Sequence, residues 1–175
     1  YLSKNKKVLK NLKYLEGKNL VSIKNLRLDN KIQIYDFNEI SVITLKDNIF
    51  RNNFTIFKNE KGINFSGKKY DATHFFKNLN NDNKKKILSE KFNGKINFKI
   101  DEIVSENEPL FDFVGLGKIR SGKFHKLTAK ANYSDDKLLD VSIDSIANNK
   151  KKLIVNSDKA EPFIKNYKFI KGFQE

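Results

Sequence analysis

The residues able to do chemistry are few and lie far apart in the sequence. His74 and His125 are the only histidines, and the chain has no cysteine, so the usual zinc ligands are missing. Asp135 and Asp136 are neighbouring carboxylates, but they lie in a polar break between two alternating segments, where aspartate commonly makes local hydrogen bonds in a turn. We therefore expect no catalytic residue, no metal and no cofactor, and we do not expect an enzyme.

Two further motifs have both a functional and a structural interpretation. Gly115-Leu116-Gly117 resembles half of a dinucleotide fingerprint, but it lacks the third glycine and the strand–helix alternation that such a fingerprint needs. We predict a bend in a strand instead. Residues 84–86 and 150–152 are lysine runs. They suit a nucleic acid or lipid headgroups, but we favour solvated loops.

The net charge of +14 and the pI near 9.7 raise the question of nucleic-acid binding. Arginine is the preferred reader of bases and phosphates, and here it is confined to Arg27, Arg51 and Arg120. Lysine, asparagine, isoleucine and phenylalanine are abundant, as A/T-rich codons would produce. We expect no nucleic-acid partner, although attraction to anionic lipid headgroups would use the same lysines.

The break at Asp135 and Asp136 lies inside the clearest structural pattern of the chain. From residue 123 to residue 133 apolar and polar side chains alternate, and the alternation resumes from residue 139 to residue 146. Successive side chains of a strand point to opposite faces, so this stretch predicts a β-hairpin with one apolar and one polar face. The functional question is what covers the apolar face.

Short alternating segments also occur between residues 20 and 66 and between residues 94 and 155, separated by turn-forming residues. They predict antiparallel meanders. The alternation slips near Lys24-Asn25, where we expect a bulge, and again between Val42 and Ile43. Residues 1–16 suit either a short amphipathic helix or an incoming strand.

Two stretches predict short helices. Residues 71–79 begin with an aspartate whose carboxylate suits an N-cap. In residues 158–167, Glu161 is placed as the return partner of a capping box. Because each stretch follows a strand, starts at aspartate and contains Lys-Asn near its end, we expect repeat units at 18–80 and 94–170.

The fold class predicted is mainly β: a curved antiparallel sheet of a repeating β-groove type with two short helices. Residues 80–91 are polar and predict an exposed connection. The chain starts without methionine, and we interpret residues 1–175 as a single fragment of a longer protein. No apolar run approaches the roughly 18 residues that span a bilayer, so we expect any anchor to lie outside this piece.

Three stretches resemble a known family. They are SGKKYDATHFFKNL at 66–79, GKIRSGKFHKL at 117–127 and KKLIVNSDKAEPFIKNYKFIKGF at 151–173. In each of the outer two, a strand leads to aspartate and a short helix. This arrangement is similar to that of the AsmA-like superfamily, and within it of the large YhdP-type (TamB-related) proteins of Gram-negative envelopes. The resemblance covers roughly residues 60–175.

The resemblance implies a periplasmic protein anchored in the inner membrane by parts outside this chain. Such a protein would conduct phospholipid between the inner and outer membranes along an apolar β-groove, so we expect phospholipid acyl chains as partners. The apolar positions of the clearest strands are the expected groove lining. They are Ile96, Phe98, Ile100, Leu127, Ala129, Ala131, Tyr133, Leu139, Val141 and Ile143.

Two other functions remain open at this point. Most alternating apolar stripes pack on each other in a closed core, so the chain could be a structural envelope domain that binds no ligand. A basic β domain that binds nucleic acid is a third possibility, which a steep salt dependence of oligonucleotide binding would support.

Overall fold

A computed structural model describes residues 7–73, 88–105, 108–146 and 150–161. In these residues eleven strands form one open sheet, and no helix is present. The strands are β1 (Lys7–Glu16), β2 (Asn19–Leu28), β3 (Ile34–Asp36), β4 (Glu39–Lys46), β5 (Ile49–Asn59), β6 (Gly62–Asp71), β7 (Gly94–Val104), β8 (Leu110–Arg120), β9 (Lys123–Asn132), β10 (Leu138–Ser145) and β11 (Lys151–Ser157).

The sheet follows the chain order, with β1 and β11 at its edges and the short β3 paired to the end of β2. All neighbouring strands are antiparallel except β6 and β7, which run parallel, with Ile63 opposite Ile96. The sheet is therefore mixed, and the prediction of a purely antiparallel sheet is wrong at this junction. Parallel neighbours cannot be joined by a tight hairpin turn, and β6 and β7 are separated in the sequence by residues 72–93.

Tight turns explain most of the antiparallel pairs. Asp47 and Asn48 link β4 to β5 with φ of 53° and 61°, and Ser121 and Gly122 link β8 to β9 with φ of 50° and 70°. Two consecutive residues with positive φ suit the twist of a two-residue hairpin. The predicted hairpin at 123–146 is confirmed as β9 and β10.

The remaining predictions about elements have mixed outcomes. Residues 7–16 form a strand, which decides between the two alternatives for the N-terminal segment. Neither predicted helix is seen, because residues 74–79 and 162–167 lie outside the described part of the chain. Asp71 ends β6, and its carboxylate accepts the Thr73 amide at 3.0 Å, which is the contact expected of an N-cap. The repeat units stay a prediction.

Both predicted slips of phase correspond to local irregularities. Asn25 has a φ of 52° within β2, and Leu26 joins the same hydrophobic cluster as Ile23 despite the odd spacing. On β4 the register against β5 shifts between Thr44 and Leu45, two residues later than the sequence pattern indicated. Such shifts move the following side chains to the other face.

Candidate functional site: the apolar face

The cross-strand register places a continuous row of apolar residues across the whole sheet. Residues that are direct partners on neighbouring strands share a face. One chain of such partners contributes a hydrophobic residue or a glycine from every strand on the path from β1 to β11. Its members are Leu12, Ile23, Ile40, Ile56, Phe65, Phe98, Gly115, Ala129, Val141 and Val155.

Adjacent rows on the same face are also apolar over most of their length. The row on one side runs from β6 to β11 through Ile63, Ile96, Gly117, Leu127, Ile143 and Leu153. The row on the other side runs from β1 to β8 through Tyr14, Val21, Val42, Phe54, Gly67, Ile100 and Phe113. Together these rows form what we call the apolar face.

The opposite surface of the sheet, the polar face, differs sharply. Its matching row of partners consists of Lys13, Ser22, Ser41, Thr55, Ser66, Lys99, Val114, Lys130, Asp140 and Asn156. Only one member of that row is hydrophobic. The two faces therefore differ along this central row, although the next row of the polar face begins with Leu15, Leu20 and Ile43.

All ten residues predicted to line a groove belong to the apolar face or its margin. Six of them, Ile96, Ile100, Ala129, Ala131, Tyr133 and Leu139, are buried. The other four, Phe98, Leu127, Val141 and Ile143, are half-buried. Tyr133 follows β9 directly, and its hydroxyl lies 3.0 Å from that of Ser157. The sequence did not identify the continuation of the same rows over β1 to β5, since the slips of phase concealed which side faces inward.

The middle of the apolar face is built from aromatic rings. Phe65 contacts Phe54, Tyr70 and Phe98 at centroid separations of 4.9, 5.4 and 5.8 Å, and Phe98 continues to Phe113 at 5.9 Å. Such tilted and edge-on pairs are favourable beyond the area they bury. Burial in this group raises the pKa of the Tyr70 hydroxyl, and the neighbouring Asp71 adds to the effect.

Gly115 and Gly117 lie beside these rings within β8, so the Gly-Leu-Gly motif belongs to a strand and not to a nucleotide loop. A Cβ at Gly117 would come 2.8 Å from Cγ2 of Ile96, and one at Gly115 would come 3.0 Å from Cβ of Ala129. The glycines are needed because neighbouring side chains occupy the space above them.

One end of the apolar face is covered by residues 88–93, which we call the closing segment. Phe92 is 2% exposed and stacks on Phe37 with the centroids 6.0 Å apart. The Ser89 amide donates to the Ile34 carbonyl at 2.8 Å, and the Ser89 hydroxyl donates to the Asp29 carboxylate at 2.5 Å. That hydrogen bond, with two from backbone amides, lowers the pKa of Asp29. We call this end the Phe92 end.

The closing segment is also fixed to the β8–β9 hairpin. The amide of Gly122 donates to the carbonyl of Phe92, and the amide of Ser121 donates to the Asn93 side chain, both at 2.9 Å. The prediction of an exposed connection over residues 80–91 is therefore wrong at its end, because Ser89 is only 2% exposed.

At the opposite end, which we call the Lys159 end, charged side chains join three separate connections. Lys159 follows β11, and its Nζ lies 2.7 and 2.9 Å from the two carboxylate oxygens of Glu108, in the β7–β8 connection. It also lies 3.1 Å from Asp135 in the β9–β10 turn and 5.2 Å from the centre of the Tyr133 ring. The Ser134 hydroxyl donates to Glu108 at 2.6 Å.

These contacts move the pKa values of the three ionised groups. Hydrogen bonds from Lys159 and then Ser134 lower the pKa of Glu108. Partial desolvation opposes ionisation of Asp135, but hydrogen bonds from Lys159 and Lys137 outweigh it and leave its pKa lowered. The hydrogen bond to Glu108 raises the pKa of Lys159. The three groups thus favour their charged forms, which is the pattern of a structural ion-pair network.

Of the remaining candidates for chemistry, His74 and residues 84–86 lie outside the described part of the chain, and the others lie in strands and turns. His125 is half-buried in β9, and its carbonyl accepts the Ser145 hydroxyl at 2.8 Å. Asp136 has a φ of 61°, and its amide donates to the Tyr133 carbonyl, which confirms the predicted turn. Residues 151–152 begin β11 and are not in a loop. In the described ranges no cluster of histidine, aspartate and glutamate could hold a metal ion.

Exposure increases from the centre of the apolar face toward the edges of the sheet. Ile63 and Ile100 in the centre are 1% exposed, whereas Leu12 on β1 is 44% exposed and Leu153 on β11 is 56% exposed.

The part of the chain that the structure describes has no helix long and apolar enough to cross a bilayer.

The fold and the face define a one-sided, open β-sheet protein. Comparison with known protein families, curated proteins and solved structures gives no match to this chain.

Proposed function

We propose that the apolar face binds the acyl chains of phospholipids and that the chain is a segment of an AsmA-like envelope protein. In this proposal the sheet curves so that the apolar face is concave, and phospholipid passes along it between the inner and outer membranes. The periplasmic location and the inner-membrane anchor belong to the same proposal and rest on the sequence resemblance.

The observation that carries the proposal is the row of apolar residues that no polar side chain interrupts from β1 to β11. Its outer members Leu12 and Val155 are 44% and 37% exposed. Each acyl methylene that leaves water on such a surface contributes about 0.8 kcal/mol. A row without a polar anchor favours no single position along its length, which suits a lipid that slides.

The alternative is a structural domain whose core is already complete. It is favoured by the cluster of Phe37, Phe92, Ile63, Ile96 and Ile119, all buried, which fills the Phe92 end without a ligand. In this alternative the exposed edge residues are an ordinary surface. The two functions differ in whether the purified chain carries lipid.

The first experiment is lipid extraction and mass spectrometry of the gently purified chain, together with two matched variants. Val155 and Ile154 are neighbours on β11 and are both 37% exposed, but Val155 lies in the apolar row and Ile154 faces the other way. Val155→Glu places a charge on the apolar face and should lower the lipid content severalfold. Ile154→Glu makes the same change in charge on the polar face and should leave the lipid content unchanged.

A second pair tests the interior of the face. Val141 pairs with Ala129 and Val155, whereas its neighbour Ser142 pairs with Thr128 and Ile154 on the polar face. Val141→Asp should lose lipid, and Ser142→Asp should retain it, with circular dichroism used to confirm that both fold. A cooperatively folded wild-type chain without lipid, or equal lipid in all four variants, would favour the structural domain.

A further inference from the structure

β8 presents exposed aliphatic side chains on the polar face. Leu116 is 66% exposed and Val114 is 48% exposed. The direct partners of Leu116 are Asn97 on β7 and Thr128 on β9, so it points away from the apolar face on which Gly115 and Gly117 lie. An exposed leucine on a polar surface buries little of its side chain in the fold, so it contributes little to stability.

Lysines surround Leu116 at every neighbouring position of the same face except its two direct partners and Val114. The positions two residues along β7 are Lys95 and Lys99, those along β9 are Lys126 and Lys130, and Lys118 follows on β8. Diagonal neighbours in a sheet lie about 7–8 Å apart. Leu116 and Val114 with these lysines form what we call the basic patch.

The basic patch opposes the stability of the sheet that carries it. Lys118 is the direct partner of both Lys95 and Lys126, and like charges directly opposite each other destabilise a sheet. Among the described residues no ion pair involves Lys95, Lys99 or Lys118. A surface that costs stability and keeps its charge uncompensated suits a partner that supplies the opposite charge.

Acidic residues compensate only the margin of the patch toward β10. Lys126 lies 3.7 Å from Asp144, and Lys130 lies 3.7 Å from Asp140. The side chains of these two lysines remain 63% and 69% exposed, and such exposed pairs are weak. Both lysines can therefore still reach a negatively charged surface.

We propose that the basic patch docks this chain on the surface of a membrane that contains anionic phospholipids. Lysines near such a surface are attracted to its phosphates, and an aliphatic side chain among them inserts below the headgroups. A nucleic acid would satisfy the lysines but not Leu116 and Val114, since single strands are held by aromatic stacking and the patch has no aromatic residue and no arginine. This contact is separate from the proposed binding of acyl chains on the other face.

The test is co-sedimentation of the whole chain with vesicles of phosphatidylcholine alone and with vesicles that also contain phosphatidylglycerol. Binding should require the anionic lipid and should weaken as salt is raised. In the variant Lys99→Gln/Lys118→Gln we expect the partition coefficient to fall about 25-fold, because each lysine near an anionic surface contributes about fivefold. Removing Lys118 relieves the repulsion from Lys95 and Lys126, so this variant should fold at least as well as the wild type.

Two controls have matched chemistry. Lys46→Gln/Lys61→Gln removes the same charge from the exposed end of β4 and from the exposed β5–β6 turn and should change the partition coefficient by much less. Leu116→Thr should lower it several-fold, whereas Ile49→Thr, which changes a side chain of equal exposure at 66%, should not. The loss caused by Leu116→Thr should persist at high salt.

Three results would overturn the proposal. The first is an equal fall in the partition coefficient in the two lysine variants, and the second is an unchanged partition coefficient in Leu116→Thr. The third is a chain that binds an oligonucleotide but does not bind anionic vesicles. The lipid content of the purified chain separates this docking from the proposed function. Lys99→Gln/Lys118→Gln should retain the bound lipid that Val155→Glu loses, and Val155→Glu should still sediment with anionic vesicles.

Discussion

The two ends of the apolar face are closed by different physical means. At the Phe92 end, stacked rings and backbone hydrogen bonds hold the closing segment against Ile34 and the β8–β9 hairpin. At the Lys159 end, an ammonium group joins Glu108 and Asp135 from two separate connections. The first closure depends mainly on apolar burial, which ionisation affects only through the hydrogen bond from Ser89 to Asp29, whereas the second depends on charges that water and pH can reach.

The difference shows what each end can tolerate. Phe92 is 2% exposed, but the side chains of Lys159 and Glu108 remain 22% and 21% exposed. Interiors are closely packed, so a truncated ring leaves a cavity, while a lost partner at the Lys159 end is replaced by water. We therefore expect changes at the Phe92 end to cost more than changes at the Lys159 end.

The largest expected effect is that of Phe92→Ala. Removal of the ring leaves Phe37 without its stacking partner and should lower the free energy of unfolding by about 3–5 kcal/mol. The measurement is urea unfolding followed by circular dichroism. Phe57→Ala is the control, because Phe57 is 44% exposed and should cost far less. Equal losses in the two variants would show that the closing segment contributes little.

A smaller effect tests the contact between the closing segment and the β8–β9 hairpin. Gly122 has a φ of 70°, and a Cβ there would come 2.7 Å from the Ser89 carbonyl oxygen. Gly17 has a φ of 56° and no atom within 4 Å of the same position. Gly17→Ala should cost about 1–2 kcal/mol for the left-handed backbone alone.

Gly122→Ala should cost more than Gly17→Ala in the same unfolding measurement, because it adds the clash with Ser89. The difference between the two variants then reports how firmly the closing segment is held. If the two losses are the same, the segment yields without cost and the Phe92 end is not rigid.

The sequence predicted the apolar face best where alternation is strict and turns are short. From β9 to β10 the tight turn fixes the register, so Ala129 and Val141 had to be neighbours on one face. On β2 and β4 the left-handed Asn25 and the shift at Thr44 interrupt the alternation. In these two strands, pairing with the next strand decides which side chains lie on the apolar face. The local periodicity of the sequence does not show it.

Two features depend on contacts between distant parts of the chain. The direction of the parallel pair β6–β7 is one of them, because the alternation within either strand does not show whether its neighbour runs parallel or antiparallel. Ser89 is buried, and its hydroxyl reaches Asp29, while Lys159 after β11 meets Glu108 before β8. Strand propensity and hydrophobic alternation depend on residues that are close in the sequence. They could therefore not predict the closure of either end.

The smallest expected effect is a dependence of stability on pH at the Lys159 end. The lowered pKa values of Glu108 and Asp135 give stability that is present above the ordinary carboxyl range, about 4, and that is lost as pH falls through the lowered values. The raised pKa of Lys159 gives stability that is present below the ordinary lysine value, about 10.4, and that is lost as pH rises through the raised value.

Glu108→Gln tests the ionic contribution of Glu108 to the Lys159 end, with the urea midpoint measured between neutral and acidic pH. The variant should be slightly less stable than the wild type at neutral pH, and the two curves should converge as the pH falls. A shallower acid limb must remain, because Asp135 at the Lys159 end and Asp29 at the Phe92 end also have lowered pKa values. Parallel curves at all pH values would mean that Glu108 does not stabilise the fold through its charge, and the contrast between an apolar and an ionic closure would fail.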